Sequence, residues 1–580
     1  MLDPYRMVFV NIVASILLLA GTLFYRYIFP KKKINYFVLL ILISILPIIS
    51  IFRIGAYQSG DFNIHVRRSM EFYSMLSQGN IIPTWAGDLN ATYGYPLFAF
   101  NYILPYYITA FFHLLGFSFI NSLKLLLSLS FIFSGISMYL FSKNLFKKTL
   151  PAFGTSIFYL FNPYFLISLH FKITIGEVLA YTFIPLVFYF INRFFDARKI
   201  VYLILSGLSL SLILLSHIFV AIFLIPVFLA YTFFRLKNIV RSIIYSFFVV
   251  MLCLITSSFQ WISTPIYKPY LFATIHPSPP AYFPSLIELL YAPWRFGLLF
   301  QGPKGELSFL IGYTQLAVIV ISVIYLLIKK NAARYKNDLL FWLIIIFVTV
   351  FLITPQSKFI WNYMQILAEA GSHRLLLLMG FFTSVLAGFL ILSQQKKKFF
   401  VYTLIFLTIA TTILNWGQRK MLPDVNDAVL KKDLPIGINW GDAHFYANSK
   451  WVNPNHQWFS VIPQSPILIT GGQGKIIIGA RTSTLHSYQV SAETSLRITE
   501  NTLYFPGWKA TFNNKSVNIG PDKNGVISFN LPKGNGILTL SFSDLPLFAA
   551  SKIISLISLS LIFIYLLYLL IKKLLSGPKS

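Results

Sequence analysis

Apolar runs of about twenty residues, each closed by Lys or Arg, recur through the first 416 positions of this chain. The stretch from Leu375 to Ser393 has no charged residue at all. About twenty such residues cross the ~30 Å hydrocarbon core of a bilayer. Inside hydrocarbon every backbone N–H and C=O must find a partner within the protein, which favours helices. The composition agrees, with 56% hydrophobic and 11% charged residues, against about 25% charged in soluble proteins. Mean hydropathy is +0.70. The fold class expected is a polytopic α-helical membrane protein.

The formal net charge of +29 does not point to nucleic acid, because the basic residues lie in short clusters between apolar runs. That is the pattern of the positive-inside bias. Lys31-Lys32-Lys33 therefore marks a cytoplasmic loop, and the run 36–56 leads outward to Asp61. The run 120–141 delivers Lys143, Lys147 and Lys148 to the cytoplasm only if 98–117 does not cross. With Asn101, Pro105, His113 and several tyrosines, 98–117 is expected to be a juxtamembrane helix. Alternation then works through Arg193, Arg198 and Lys199, through Arg235, Lys237 and Arg241, through Lys329-Lys330, and through Lys396-Lys397-Lys398 to Lys572-Lys573. It gives about thirteen spans, with the N-terminus outside and the C-terminus inside. The long outer loops are 57–119, 265–306 and 355–373.

Residues 417–548 read differently. Short alternating segments such as Ser495-Leu496-Arg497-Ile498-Thr499 and Ile537-Leu538-Thr539-Leu540-Ser541-Phe542 are separated by Asn513-Asn514, Lys523-Asn524-Gly525 and Gly534-Asn535-Gly536. Strands at this spacing suggest an extracytoplasmic antiparallel β-sandwich. The expected organisation is a membrane domain over 1–416, this β-rich domain over 417–548, and a final helix and tail over 549–580. The single cysteine, Cys253, lies in an apolar run and leaves no internal disulfide or Cys-based zinc motif.

Chemistry is sought where polar residues meet the outer membrane boundary. If 60–72 is helical, Asp61, His65, Arg68 and Phe72 fall on one face. The carboxylate could serve as a general base or hold a metal, and the guanidinium could grip a phosphate. The bland alternative is an interfacial turn whose arginines meet headgroups. Lys172 and Glu177 flank another outer loop, and Arg295 and Arg374 stand in nearly uncharged surroundings. An ionisable group at membrane depth is a functional candidate by default, although an arginine there can also simply snorkel. His217, in a tight turn, reads as structural. There is no GxxxxGK[ST], HExxH or GxSxG motif, so direct ATP drive, a zinc hydrolase and a serine hydrolase lack support.

Pro83-Thr84-Trp85, Tyr93-Gly94-Tyr95-Pro96-Leu97-Phe98 and Leu104-Pro105-Tyr106-Tyr107 follow Asp61. Pro293-Trp294, Gly312-Tyr313-Thr314-Gln315-Leu316 and His373-Arg374-Leu375-Leu376 come later. Together they resemble the bacterial membrane proteins labelled 6-pyruvoyl-tetrahydropterin synthase-related. Tyr504-Phe505-Pro506-Gly507-Trp508-Lys509-Ala510 and Leu531-Pro532-Lys533-Gly534 resemble the outer β-domain of YfhO-like proteins. Both belong to the broad GT-C glycosyltransferase class. Pterin synthesis itself would need a three-histidine zinc site, which the sequence does not show. The GT-C resemblance implies transfer of a sugar from a polyprenyl-phosphate carrier to an envelope glycan, lipid or protein acceptor on the outer face of the bacterial cytoplasmic membrane.

In that resemblance Asp61 matches the first-loop Asp that acts as base or helps bind metal. Arg374, then Arg68, are the expected phosphate-binding residues, with His65 and Arg295 as further substrate-binding candidates. The paired acidic motif of many GT-C proteins is absent, since only His65 follows Asp61. A divalent cation is therefore an open expectation, and a metal-independent base is preferred. The β-domain would bind the acceptor glycan or brace the loops. A lipid or polymer transporter would instead place charges deep in several spans, and few are seen. An envelope-assembly scaffold would make Asp61 dispensable.

Overall fold

The computed structural model describes residues 3–274, 282–291, 308–329, 335–363, 371–417, 420–434, 448–453 and 461–575. Two compact units are present. The first comprises Met1–Phe62, Ile120–Leu254 and Pro280–Val425; the second comprises Asn63–Phe119, Ile255–Pro279 and Asn426–Ser580.

Among the described residues, nine helices are long and apolar enough to cross a membrane. Thr149–Leu160 and Pro163–Lys172 add a pair bent by 48°, and Tyr36–Phe52, Ile200–Ser216 and Tyr313–Lys329 are shorter apolar helices. Most of the expected runs overlap one of these elements. With the C-terminal sheets described below, this makes the chain a multi-pass helical membrane protein with a β-rich C-terminal part.

The first unit is built around Leu375–Ser393, in which every residue from Leu375 to Leu392 is buried. Its neighbours are Thr149–Leu160, Tyr313–Lys329 and Lys336–Ile353. Small residues allow that packing, as they do between membrane helices generally. A Cβ at Gly388 would press on Thr155 Oγ1 and the Phe146 ring, and one at Gly380 on Tyr181 and Asn162.

Two runs are broken where the sequence suggested continuity. The run 150–170 bends at Asn162, whose side chain accepts from the N–H of Tyr164 and Phe165, with Pro163 opening the next helix. An Asn cap followed by Pro both ends one helix and starts another. The second helix widens into a π-helical turn over Ser168–Lys172 and stops at Ile173, which takes a left-handed φ of 59°. A β-branched residue there is strained. The run 242–264 likewise divides into Ile239–Thr256 and Ser258–Tyr267.

In the second unit, the helix expected around 60–72 spans Phe62–Ser77, entering this unit at Asn63. The segment 98–117 forms two pieces, Leu97–Phe100 and Leu104–Leu114, separated by an extended Asn101. The 11-residue piece is about 16 Å long, too short to cross the ~30 Å core.

The strands are β1 (Ala56–Tyr57), β2 (Met421–Leu422), β3 (Ile467–Gly471), β4 (Gly474–Arg481), β5 (Leu485–Ala492) and β6 (Leu496–Leu503). They continue with β7 (Trp508–Phe512), β8 (Lys515–Val517), β9 (Gly520–Pro521), β10 (Val526–Leu531) and β11 (Gly534–Phe542). In the first unit β1 pairs with β2. In the second, β3-β6-β10-β9 form a four-stranded antiparallel sheet and β4-β5-β11-β7-β8 a five-stranded one. Asn513 and Asn514, at φ 51° and 63°, make the two-residue turn between β7 and β8. Asn tolerates the positive φ that a twisted hairpin needs. Tyr488 of β5 reaches the other sheet, donating to Glu500 of β6 over 3.0 Å.

The segment after Phe62–Ser77 packs on these sheets. Trp85 lies against Phe505, Trp508 and Phe542 at 5.3–6.0 Å between ring centres. The Leu503 N–H donates to Tyr93 O. Thr84 and Lys552 both donate to Asp544, over 2.8 and 2.6 Å.

Candidate functional site

The polar centre of the first unit forms where the bent pair Thr149–Lys172 hands over to the helix Ile175–Ala197. Glu177, in the first turn of that helix, is fully buried. A buried carboxylate is tolerated only when donors and positive charge surround it. Here its Oε2 accepts from Tyr164 Oη (3.1 Å), Thr174 Oγ1 (3.3 Å) and Ser168 Oγ (3.4 Å). Its Oε1 accepts from Arg374 Nη1, and Lys172 Nζ stands 3.9 Å from Oε2.

Arg374 ends the short turn Ser372–Arg374 that opens the central helix. His217, between the helices Ile200–Ser216 and Ile218–Leu236, places Nε2 3.1 Å from Arg374 Nη1 and 3.9 Å from Glu177 Oε1. A guanidinium can only donate, so His217 Nε2 accepts and the imidazole is neutral. Two oriented partners thus fix Arg374 while its side chain stays 28% exposed. Lys172 donates to Tyr164 Oη over 3.1 Å and lies over the Tyr164 ring.

Asp61 joins this centre through its backbone. The Gly60 N–H donates to Phe171 O (2.8 Å) and the Asp61 N–H to Lys172 O (3.0 Å). Ser59 Oγ accepts from the Phe62 N–H at the start of the next helix. A Cβ on Gly60 would lie 2.9 Å from Lys172 O, so only glycine allows this approach. The Asp61 carboxylate acts electrostatically on Lys172. The first unit therefore assembles Asp61, Lys172, Glu177, His217 and Arg374. Both oxygens of Glu177 are occupied by donors, and two cations stand beside it. That donor set does not fit a divalent ion. Among the described residues no group of three or more His, Cys, Asp and Glu could hold a metal.

His65 and Arg68 sit on Phe62–Ser77 in the second unit. His65 is buried with Nδ1 3.0 Å from Tyr106 Oη, and Tyr106 also faces Phe72 and Phe98. Helix Phe62–Ser77 begins one residue after Asp61, so Asp61 precedes its first turn. Arg295 lies outside the described residues. Glu288 of the loop 265–306 closes a capping box with Ser285. Sequence reasoning named Glu177 without giving it a role and read His217 as structural. An acidic residue one turn into an apolar helix was the available signal for Glu177.

Comparison with known proteins places these features. A 211-residue stretch is 26% identical to an uncharacterised protein of Lactococcus lactis subsp. cremoris, covering 36% of this chain and 34% of that one. The structure is similar to the Archaeoglobus fulgidus oligosaccharyltransferase in its apo form, at TM-score 0.42 and 14% identity over 66% of this chain and 55% of that one. It is also similar to the arabinofuranosyltransferase AftD from Mycobacteria, at TM-score 0.39 and 14% identity over 66% of this chain and 27% of that one. The chain thus spans about a third of the length of its curated relative and about half of that of the oligosaccharyltransferase. The family described as "6-pyruvoyl-tetrahydropterin synthase related domain; membrane protein" matches residues 100–418. Matched over more than half its length, the chain belongs to this family of 6-pyruvoyl-tetrahydropterin synthase-related membrane proteins.

Proposed function

We propose that this chain is a glycosyltransferase that moves a sugar from a polyprenyl-phosphate carrier to an extracytoplasmic envelope glycan, lipid or protein. The observation that carries the reading is the Arg374 guanidinium, fixed by buried Glu177 and neutral His217, beside Lys172 and the pinned Asp61 loop.

In the proposed step Asp61 takes the proton of an acceptor hydroxyl. The oxygen bonds to the anomeric carbon as the bond from that carbon to the phosphate oxygen breaks. The phosphate leaves with the bonding electron pair, and Arg374 and Lys172 neutralise its growing charge. Glu177 acts through Arg374 as a positioning residue.

A wholly apolar cavity of about 320 Å³ in the same unit, lined by residues such as Leu286, Ile311, Val323 and Phe347, suits a polyprenyl tail. In this reading, which takes its orientation from charge alternation and its membrane from the family resemblance, this site, the N-terminus and the β-rich domain face the outer side of a bacterial cytoplasmic membrane and the C-terminus lies inside. Protein reconstituted in nanodiscs with a polyprenyl-phosphate sugar and cell-envelope acceptors tests the proposal. Transfer that disappears in Asp61→Asn supports it; transfer unaltered in that variant refutes it.

A further inference from the structure

The second unit holds a cavity of about 420 Å³ between the segment 78–92 and the β-sheets. This is within the roughly 300–1,000 Å³ of small-ligand pockets. Its polar lining comes from Gln78, Asp88, Arg481, Ser483, His486 and Thr502, and its apolar lining includes Trp85, Ile462 and Pro466.

Two fully buried carboxyl groups order that lining. Glu500 accepts from Tyr488, lies 2.9 Å from His486 Nδ1 and 3.7 Å from Arg481 Nη2. Arg481 Nη2 also donates to Thr502 Oγ1 over 3.4 Å. Glu71 is buried and accepts the Asp88 N–H over 3.3 Å. On the opposite strand end, the Ser483 N–H donates to Gln78 Oε1 over 3.0 Å. The Ser483 hydroxyl, 3% exposed, has no hydrogen-bond partner among the described residues. A buried polar atom without a partner costs free energy that a bound ligand can recover.

The charges choose the ligand. Arg481 is already matched by Glu500, and the Asp88 carboxyl would repel an anion. The Asp88 carboxyl, the Ser483 and Thr502 hydroxyls, the Gln78 amide and the Arg481 guanidinium offer both donors and acceptors beside an apolar wall. We infer that this cavity is a binding site for a neutral saccharide, one or two sugar units of the acceptor. The inference rests on the reading of the chain as an enzyme acting on envelope glycans.

Full-length protein in nanodiscs is titrated with maltose, cellobiose, mannobiose and N,N′-diacetylchitobiose, with inorganic phosphate and glucuronic acid as anionic controls. Binding is read by saturation-transfer NMR and calorimetry on wild type, Asp88→Asn and Gln78→Ala. Gln78 is exposed, so its variant keeps the test valid should Asp88→Asn fail to fold. At least one neutral disaccharide is expected to bind and to weaken about tenfold in each folded variant, with the anions leaving it undisturbed. Binding by none of the four, binding indifferent to the substitutions, or preference for an anion overturns the inference. The readout involves no turnover, so failure here leaves transfer at Asp61 standing. Loss of transfer in Asp61→Asn likewise leaves saccharide binding measurable.

Discussion

Arg374 and Glu177, 197 positions apart, are joined by a hydrogen bond from Nη1 to Oε1, and His217 Nε2 lies 3.1 Å from the same nitrogen. Glu177 is wholly buried while Arg374 keeps part of its side chain open. The pair is thus asymmetric: the carboxylate is spent on orientation, and the cation is what a ligand can meet.

Removing one member should therefore cost more than removing both. Arg374→Leu leaves a buried carboxylate with its hydroxyl donors and Lys172 but without its closest cation, a loss toward the low end of the about 3–5 kcal/mol expected for a broken buried pair. The double variant Glu177→Gln/Arg374→Leu should lose less than Arg374→Leu alone, and so less than the sum of the single changes. Thermal unfolding of the four proteins in one detergent measures this. Additive losses would mean that the two groups are not coupled.

Gly60→Ala tests how Asp61 is placed. The new Cβ would meet the Lys172 carbonyl, 2.9 Å away, and push the loop from the Phe171 and Lys172 carbonyls. A displacement of about 1 Å at a reacting group costs about a hundredfold in rate. Transfer should fall by that order while the melting temperature changes little. Unchanged transfer would show that the position of Asp61 does not matter.

The second unit should show opposite pH responses at its two buried carboxyls. Burial alone would raise the Glu500 pKa, but His486, Arg481 and Thr502 outweigh it and hold it below the ordinary value. The stabilisation this supplies is present above the unfolded pKa of about 4.3 and is lost as pH falls through the folded value. Glu500→Gln should therefore flatten the acid limb of a stability–pH curve.

For Glu71, burial first and then the Asp88 charge raise the pKa well above normal. That contribution is complete below about pH 4.3 and is lost as pH rises through the folded value. Glu71→Gln keeps an acceptor for the Asp88 N–H and supplies a donor to its carboxylate. It should make the protein more stable than wild type on the alkaline side. Unfolding followed from pH 3 to pH 9 checks both signs.

Local signals in the sequence were enough for much of this fold. Uniform apolar runs closed by lysines mark the helices, and Asn513-Asn514 marks its hairpin, because each is decided by neighbouring residues. The break at Asn162 was hidden, since Pro163 and the cap lie inside a run that is apolar throughout. The packing of Trp85 on Phe505, Trp508 and Phe542 joins positions hundreds of residues apart and leaves no periodic trace. For the site, Asp61 and Arg374 stood out as isolated charges. The convergence of Glu177 and His217 on Arg374 depends on how three helix ends meet, which no spacing encodes. His65 and Arg68 share a helix, as expected, but its packing turns His65 toward Tyr106.

In the proposed reaction the Asp61 carboxylate, whose backbone N–H is bound by the Lys172 carbonyl, removes the acceptor proton during sugar transfer. The most direct measurement follows radiolabelled sugar from a polyprenyl-phosphate donor into acceptor under single-turnover conditions, with wild type and Asp61→Asn protein in nanodiscs. Loss of a general base predicts a fall of about 10²–10⁴-fold, with donor binding retained. An Asp61→Asn rate equal to wild type would contradict the account.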